Sequence, residues 1–185
     1  KTTTLCAATY EMNCPNVKII AIEDPIEVVI PGVNQIEVNP DINYDFADAL
    51  RYSLRQDPDI ILLGEIRDED TADIAARAAI TGHKVLTTLH TKDTISTITR
   101  LANLQVAGNL IAVAVDLVIA QRLLRRICEH CQEDYALSDD DKMKCETVLG
   151  HYDIDQVTFK MGSGCNYCQQ TGYQGRIAAF EVLTI

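Results

Sequence analysis

The chain has 185 residues, of which 47% are apolar and 23% are charged, and these values are typical of a globular protein with one sizeable core. Its 27 acidic and 16 basic residues give a formal net charge of −11. This excludes broad, sequence-independent nucleic-acid binding, because such binding needs lysine and arginine to displace counterions from phosphates. The longest apolar run, residues 110–120, is too short to cross a bilayer, and we predict a buried helix there.

The predicted elements alternate between helices and short aliphatic strands. In chain order they are a helix ending near residue 10, a strand over 17–22, a hairpin over 28–38, a helix over 45–55, a strand over 60–63, a helix over 71–80, a strand over 85–89, helices over 95–104 and 109–126, and a strand over 178–183. Because strands alternate with helices and are mostly aliphatic, the pattern predicts a parallel sheet covered on both faces.

Polar side chains follow three of the predicted strands at the point where each strand ends. Glu23 and Asp24 follow the first strand, Glu65 follows the strand over 60–63, and His90 follows the next strand. Ligands of parallel sheets bind beyond the carboxyl ends of the strands. The sequence therefore predicts a binding site at this edge of the sheet.

Two segments match parts of a nucleotide site. Lys1-Thr2, at the start of a helix, matches the end of a phosphate-binding loop, in which the ammonium reaches the outer phosphates and the hydroxyl binds Mg²⁺. We expect the glycines of that loop before residue 1. Four aliphatic residues followed by Gly64-Glu65 match a Walker B strand, whose carboxylate meets Mg²⁺ or its water. Taken alone, each segment also fits a chance dipeptide or a core strand that ends in an acid.

Five spaced segments together closely resemble the secretion ATPase family of type II secretion and type IV pilus machines. In that family they form the Walker A, Asp box, Walker B and His box motifs in this order, and the third and fourth segments both belong to Walker B. The segments are Lys1-Thr2-Thr3-Thr4-Leu5, Glu23-Asp24-Pro25-Ile26-Glu27, Arg55-Gln56-Asp57-Pro58-Asp59, Gly64-Glu65-Ile66-Arg67-Asp68, and Thr81-Gly82-His83 through Thr88-Leu89-His90-Thr91. The match extends across the whole chain.

The resemblance implies an α/β fold with a RecA-like P-loop NTPase core and a parallel sheet over residues 1–127. A small tetracysteine zinc segment and the final strand would follow over 128–185. It also implies an ATP-hydrolysing homo-hexamer on the cytoplasmic face of the inner membrane, which powers type IV pilus assembly or type II secretion. Its partners would be an inner-membrane platform protein and a cytoplasmic linker of the machine, without nucleic acid, and its membrane association would be peripheral. Pilus assembly and secretion both stay open.

The resemblance also assigns roles to residues by position. The residues that it places in catalysis are Glu23, Glu65, His90 and Arg67, and those that it places in nucleotide binding are Lys1, Thr2, Thr3, Asp24, Arg51 and Arg55. Glu23 would be the general base that orients the attacking water. Thr2 would bind Mg²⁺, Glu65 would hold the ion through water, and His90 would contact the γ-phosphate region. Whether the arginines act within or between subunits stays open.

Four of the seven cysteines form two Cys-x-x-Cys pairs, Cys128 with Cys131 and Cys165 with Cys168. Four thiolates at this spacing fit a structural, tetrahedral Zn²⁺. Reduced cysteines packed as small apolar side chains, or disulfides, are the alternatives. The second pair and residues 171–176 are similar to the tetracysteine segment of assembly-type family members, which retraction motors generally lack. This favours an assembly or secretion motor.

Three other functions fit parts of the sequence. A type IV secretion or conjugation-type ring ATPase is a related motor, but such motors usually lack the tetracysteine segment. A non-hydrolysing nucleotide-binding assembly subunit would be expected to have lost Glu23 or Glu65, and both are present. A bare zinc-binding interaction module leaves the polar residues at three strand ends unexplained.

Overall fold

In the computed structural model, residues 1–150 and 153–185 are described. The helices are α1 (Thr2–Met12), α2 (Phe46–Leu54), α3 (Glu69–Ile80), α4 (Thr94–Asn103), α5 (Gly108–Ala114) and α6 (Asp139–Leu149). The strands are β1 (Ile19–Glu23), β2 (Asn34–Glu37), β3 (Ile60–Leu63), β4 (Lys84–Thr87), β5 (Leu117–Ile127), β6 (Gln132–Asp134), β7 (Lys160–Gly162) and β8 (Tyr173–Thr184). The predicted α/β class is confirmed.

The core sheet has four parallel strands in the order β2-β1-β3-β4. Every residue of β1 and β3 is buried, as expected for central strands of a parallel sheet whose faces are both covered. The register places Ile22 beside Leu63, and Leu63 beside Thr87. The carboxyl ends of β1, β3 and β4 therefore meet at one edge of the sheet.

Helix α2 covers part of the sheet and begins at a side-chain cap. The Asp45 carboxylate accepts a hydrogen bond from the backbone N–H of Asp48 at 2.9 Å, which satisfies a donor that the first helical turn leaves free. Phe46, Ala49 and Leu50 are buried in the same core as β1 and β3. Burying an apolar side chain of the size of leucine stabilises the fold by about 1.5–3 kcal/mol, so this face fixes α2 on the sheet.

The predicted hairpin over 28–38 is wrong. Only β2 is a strand in this segment, and it pairs with β1 in parallel rather than with a neighbouring antiparallel strand. A buried strand must pair its backbone groups along both edges, and β2 meets that need for β1. In the loop before β2, side chains rather than a second strand form hydrogen bonds with the backbone. Gln35 and Glu37 hydrogen-bond to this loop, and Asn13 Nδ2 donates to the carbonyl oxygen of Pro31 at 2.7 Å.

The predicted helix over 109–126 is correct only for its first turns. Helix α5 ends at Ala114 and the chain continues as β5, which pairs with β8 in a two-stranded sheet. Val118 and Ile119 are β-branched residues that favour strands, and periodicity does not distinguish a helix from a strand in a short apolar run. Among the described residues, no helix combines the length and apolarity needed to span a bilayer.

The chain divides into two compact units. One comprises Lys1–Gln121 with Phe180–Ile185 and contains the core sheet, and the other comprises Arg122–Ala179 and contains β6, β7 and α6. In the second unit, β6 and β7 pair in antiparallel orientation. The division into functional domains at residues 127 and 128 stays a prediction.

We expect Leu50→Ala to lower the free energy of unfolding by about 2–5 kcal/mol, because it leaves a cavity in a packed core. Leu50 is fully buried on α2, whereas Ile95 on α4 is 72% exposed. The matched control Ile95→Ala should therefore change the free energy by no more than about 0.5 kcal/mol. Urea unfolding followed by circular dichroism measures both, and equal losses in the two variants would contradict this assignment of the core.

Candidate functional site

A cavity of about 250 Å³ lies at the carboxyl edge of the core sheet. Six residues predicted to bind or act on nucleotide line it: Lys1, Thr2, Glu23, Asp24, Glu65 and His90. The first two belong to the start of α1, and the others follow or end β1, β3 and β4. The parallel register thus brings residues that are far apart in the sequence into one cavity.

Gly64 brings the end of β3 against β1. Its N–H donates to the carbonyl oxygen of Ile22 at 2.8 Å, and a Cβ added to Gly64 would lie 3.2 Å from the same oxygen. On the other side, Thr88 Oγ1 donates to the carbonyl oxygen of Gly64 at 2.9 Å. Glu65 is therefore positioned by contacts from both neighbouring strands, and a side chain at residue 64 would disturb the closer one.

The Glu65 carboxylate is held by two side chains. Arg67 Nε donates to Oε1 at 2.8 Å, and His90 Nε2 lies 2.8 Å from Oε2. The Arg67 hydrogen bond is the largest influence and lowers the pKa of Glu65, burial opposes it, and His90 lowers it further. Arg67 also pairs with Asp24 at 3.2 Å, and the Glu65 contact raises the pKa of Arg67. Glu65 is thus kept in its anionic form.

Lys1 supplies a cation on the wall of the cavity. Its Nζ donates to the carbonyl oxygen of Leu89, just beyond β4. Partial burial lowers the pKa of the Lys1 ammonium, while the negative charge of Glu65 acts in the opposite direction. The ammonium group is therefore close to the carboxyl ends of the strands, where an anionic ligand would meet it.

Glu23 and Glu65, two of the three glutamates that line the cavity, have different partners. Glu23 is only 5% exposed, and its Oε1 accepts a hydrogen bond from the Gln35 amide at 2.7 Å. Glu65 contacts Arg67 and His90 instead. A neutral amide satisfies a buried carboxylate without adding an opposite charge, whereas arginine stabilises the anion by Coulomb attraction as well. The two carboxylates therefore sit in chemically distinct environments.

Three of the predicted nucleotide-binding residues are not among the residues that line the cavity. Thr3 lies on α1, Arg55 caps the end of α2, and Arg51 pairs with Asp48 at 3.0 Å and with Asp70 at 3.7 Å. Contacts of these three residues with a nucleotide stay predictions.

Eight further residues line the cavity, and three of them have polar or ionisable side chains outside the predicted set of site residues: Cys6, Glu27 and Thr88. Cys6 follows Thr2 by four residues on α1, so the helical period places the two on one face. Glu27 belongs to the same motif as Glu23. Thr88 precedes His90 by two residues, the spacing of side chains on one side of an extended chain. These spacings were the features of the sequence that could have placed the three residues near the predicted site.

The four predicted metal ligands form a single cluster. The sulfur atoms of Cys128, Cys131, Cys165 and Cys168 all lie within 4.8 Å of one another, with shortest separations of 3.7 and 3.8 Å. A tetrahedral zinc site with Zn–S bonds of about 2.3 Å has sulfur–sulfur edges of about 3.8 Å. All four cysteines are free rather than disulfide-bonded. The donor set and its size therefore fit a tetrahedral metal ion.

The protonation of the cysteine cluster is uneven. Burial opposes ionisation of Cys168, but the backbone N–H groups of Cys165 and Gly172, each donating to Cys168 Sγ at 3.2 Å, lower its pKa to about 6. Burial raises the pKa of Cys131 to about 12, and the neighbouring thiols of the cluster add to the increase. Backbone hydrogen bonds to Cys168 Sγ therefore favour its thiolate form, which is the form of cysteine that binds metal ions.

Comparison with known proteins agrees with this arrangement. The sequence profile of the family described as "Type II/IV secretion system protein" matches residues 1–185. The chain belongs to this family. It is 46% identical over 186 residues to the type IV pilus assembly ATPase TfpB of Acinetobacter baylyi, covering 100% of this chain and 31% of that protein. It is 44% identical over 185 residues to the type II secretion system protein HxcR of Pseudomonas aeruginosa, covering 100% of this chain and 35% of that protein.

The fold of the chain is also similar to that of a solved relative. The crystal structure of the pilus retraction motor PilT with bound ADP matches with a TM-score of 0.69 and 32% identity, over 100% of this chain and 43% of that chain. The chain spans about a third of the length of the curated relatives that it matches. The predicted resemblance to secretion and pilus ATPases is confirmed.

We expect Arg67→Ala to raise the pKa of Glu65 toward the value of about 4.3 of an unperturbed glutamate, because it removes the largest cause of the lowering. Because the pKa of Glu65 is lower in the folded state than in the unfolded state, its ionised carboxylate stabilises the fold at pH values above the unfolded-state pKa. This stabilisation is lost as the pH falls through the folded-state pKa. Side-chain carboxyl NMR titration measures the shift.

The matched control for this titration is Arg77→Ala. Arg77 pairs with Asp73 on the exposed surface of α3 at 2.7 Å, whereas the Glu65 carboxylate contacts Arg67 and His90, so removing the Arg77 side chain should leave the pKa of Glu65 unchanged. Equal pKa values of Glu65 in wild type and Arg67→Ala would contradict the role given to Arg67.

Proposed function

We propose that the protein to which this chain belongs is an ATP-hydrolysing motor subunit that powers type IV pilus assembly or type II secretion. The observation that supports this most directly is the shared cavity, in which Lys1 and Thr2 meet Glu23, Glu65 and His90. Family membership and the PilT fold with its bound ADP point to the same activity.

Phosphoryl transfer needs positioning and neutralisation of charge more than covalent chemistry. In the proposed mechanism, the Lys1 ammonium binds the outer phosphates of ATP. Mg²⁺ would be held by the Thr2 hydroxyl and, through water, by the Glu65 carboxylate, and it would neutralise charge on the phosphates. Glu23 accepts a proton from the attacking water and orients it. His90, 2.8 Å from Glu65, contacts the γ-phosphate region and links it to the metal ligand.

The remaining predicted residues would act around this centre. Thr3 and Asp24 would support nucleotide binding, with Asp24 held by Arg67 at 3.2 Å. Arg51, Arg55 and Arg67 would neutralise phosphate charge within or between subunits. Because Arg51 and Arg55 lie outside the cavity lining of this chain, a homo-hexameric ring in which they reach a neighbouring site is the arrangement that we favour.

An assembly or secretion motor fits better than a retraction motor. The chain is 46% and 44% identical to proteins named for pilus assembly and type II secretion, but 32% identical to the retraction motor PilT. These relatives also disfavour a conjugation-type ring ATPase. We propose that the motor acts in the cytoplasm at the inner membrane, through a platform protein and a cytoplasmic linker of the machine, and that it binds no nucleic acid.

We further propose that the cysteine cluster holds a structural Zn²⁺. Four thiolates complete a tetrahedral shell and leave no open position for catalysis. The two Cys-x-x-Cys pairs lie on either side of residues 132–164 in the sequence, so one ion would join the two ends of this segment. Its contribution would be to the stability of the segment, as metal binding is coupled to folding.

In the full-length protein, we expect Glu23→Gln and Glu65→Gln to retain ATP binding and to lose most turnover, by about 10²-fold or more where general-base action is removed. The control Glu11→Gln changes an exposed acid on α1 and should hydrolyse ATP normally. Phosphate release and binding of a fluorescent nucleotide measure the two properties separately. Normal hydrolysis in both cavity variants would refute these assignments.

Metal analysis of the purified protein should find about one zinc ion per chain, with the four clustered thiols protected from a thiol reagent until the ion is removed. Cys168→Ser should lose zinc, whereas Cys14→Ser, at an exposed cysteine outside the cluster, should keep it. Acidification should release the ion, because protons compete for thiolate ligands. Absence of zinc with all four thiols freely titratable would contradict the proposal.

A further inference from the structure

The side-chain amide of Gln35, on β2, uses both of its polar atoms. Nε2 donates to Glu23 Oε1 at 2.7 Å and to the carbonyl oxygen of Val28 at 2.8 Å, and Oε1 accepts from the N–H of Ile30 at 2.8 Å. The N–H of Ile30 can only donate and the carbonyl of Val28 can only accept. These two backbone groups therefore fix which end of the amide faces Glu23.

Glu23 depends on this amide. Its side chain ends β1 and is 5% exposed, and a buried carboxylate is costly unless it is hydrogen-bonded. Within residues 1–150 and 153–185, Gln35 is the side chain that donates to the Glu23 carboxylate. One carboxylate oxygen is thereby tied to β2, which sets the direction in which the other can point.

The neutral amide of Gln35 is a suitable hydrogen-bond donor to a carboxylate that acts as a general base. The arginine and histidine around Glu65 favour its anion and lower its pKa, which suits a metal ligand but weakens a proton acceptor. An amide carries no charge, so it orients the Glu23 carboxylate without the Coulomb stabilisation of the anion that a cation would add. A general base must lie within hydrogen-bond reach of its proton, and a displacement of about 1 Å costs about 10²-fold in rate.

We propose that Gln35 is a positioning residue for ATP hydrolysis, which holds the Glu23 carboxylate in the orientation that activates the attacking water. This inference rests on the proposed function, since it assumes that Glu23 is the general base. The same amide also anchors the loop over 24–33 through Val28 and Ile30. An exclusively structural role in that loop is the competing explanation, and the experiment separates the two.

The first test removes the hydrogen bonds of the Gln35 side chain and keeps its volume. In the full-length protein, Gln35→Met should lower kcat by about 10–10²-fold, within the range for a misplaced base, and should leave nucleotide affinity within twofold. The control Glu37→Met removes a second anchor of the same loop, the acceptor of the Ile26 N–H at 3.1 Å, without touching the Glu23 contact. It should keep kcat within about twofold. An unchanged kcat in Gln35→Met, or an equal loss in both variants, would overturn the proposal.

The second test asks whether Gln35 acts through Glu23. If it does, the double variant Glu23→Gln with Gln35→Met should be no slower than Glu23→Gln alone, because the positioned group is already gone. Losses that multiply would show that Gln35 acts independently of Glu23 and would overturn the proposal. Thermal unfolding of each variant checks that the fold persists.

The third test remains informative if the methionine variant does not fold. Gln35→Glu keeps an acceptor for the Ile30 N–H but places a second carboxylate against Glu23, and like charges raise the pKa of a carboxyl group. The acidic limb of the kcat profile should move to higher pH by about one unit or more, a readout that loop anchoring would not move. An unchanged profile in an active Gln35→Glu variant would overturn the proposal.

The same series distinguishes this inference from the function on which it rests. If Glu23→Gln abolishes turnover while Gln35→Met and Gln35→Glu behave as wild type, the assignment of Glu23 as general base is supported and the positioning role of Gln35 is refuted. If the wild-type protein does not hydrolyse ATP, or if Glu23→Gln is fully active, the proposed function fails and the role of Gln35 falls with it.

Discussion

The carboxylates of Glu23 and Glu65 lie in one cavity at the carboxyl edge of a buried parallel sheet. Other polar side chains of the site form hydrogen bonds with these two charged groups. Carboxylates of like charge in one cavity each need their own hydrogen-bond donors. Glu65 receives them from Arg67 and His90, and Glu23 receives its donor from Gln35. This difference in partners gives two identical side chains different chemical capacities.

One sulfur of the cysteine cluster in the second unit receives its hydrogen-bond donors in a related way. Backbone N–H groups of Cys165 and Gly172 donate to the sulfur of Cys168 and lower its pKa, much as side-chain donors hold the glutamates. In both places donors from separate segments of the chain are directed at one acceptor. Such preorganisation reduces the reorganisation that binding or catalysis would otherwise require.

Strand β2 combines a structural and a chemical contribution. Its backbone completes the pairing of β1, while Gln35 and Glu37 bind the preceding loop and Gln35 reaches Glu23. The loop before β2 needs these contacts because its own backbone forms no ladder. The segment that the sequence indicated as a hairpin therefore supports the site as well as the sheet.

The sequence by itself determined the α/β class, the aliphatic strands β1 and β3 and the acids that follow them, because buried parallel strands and strand-end polar residues leave local patterns. The Cys-x-x-Cys spacing likewise predicted four clustered sulfurs. Only the tertiary structure decided that β2 pairs with β1, that the run after Ala114 becomes a strand, and that Gln35 contacts Glu23. These features depend on pairing and contacts between residues distant along the chain, and no local period records them.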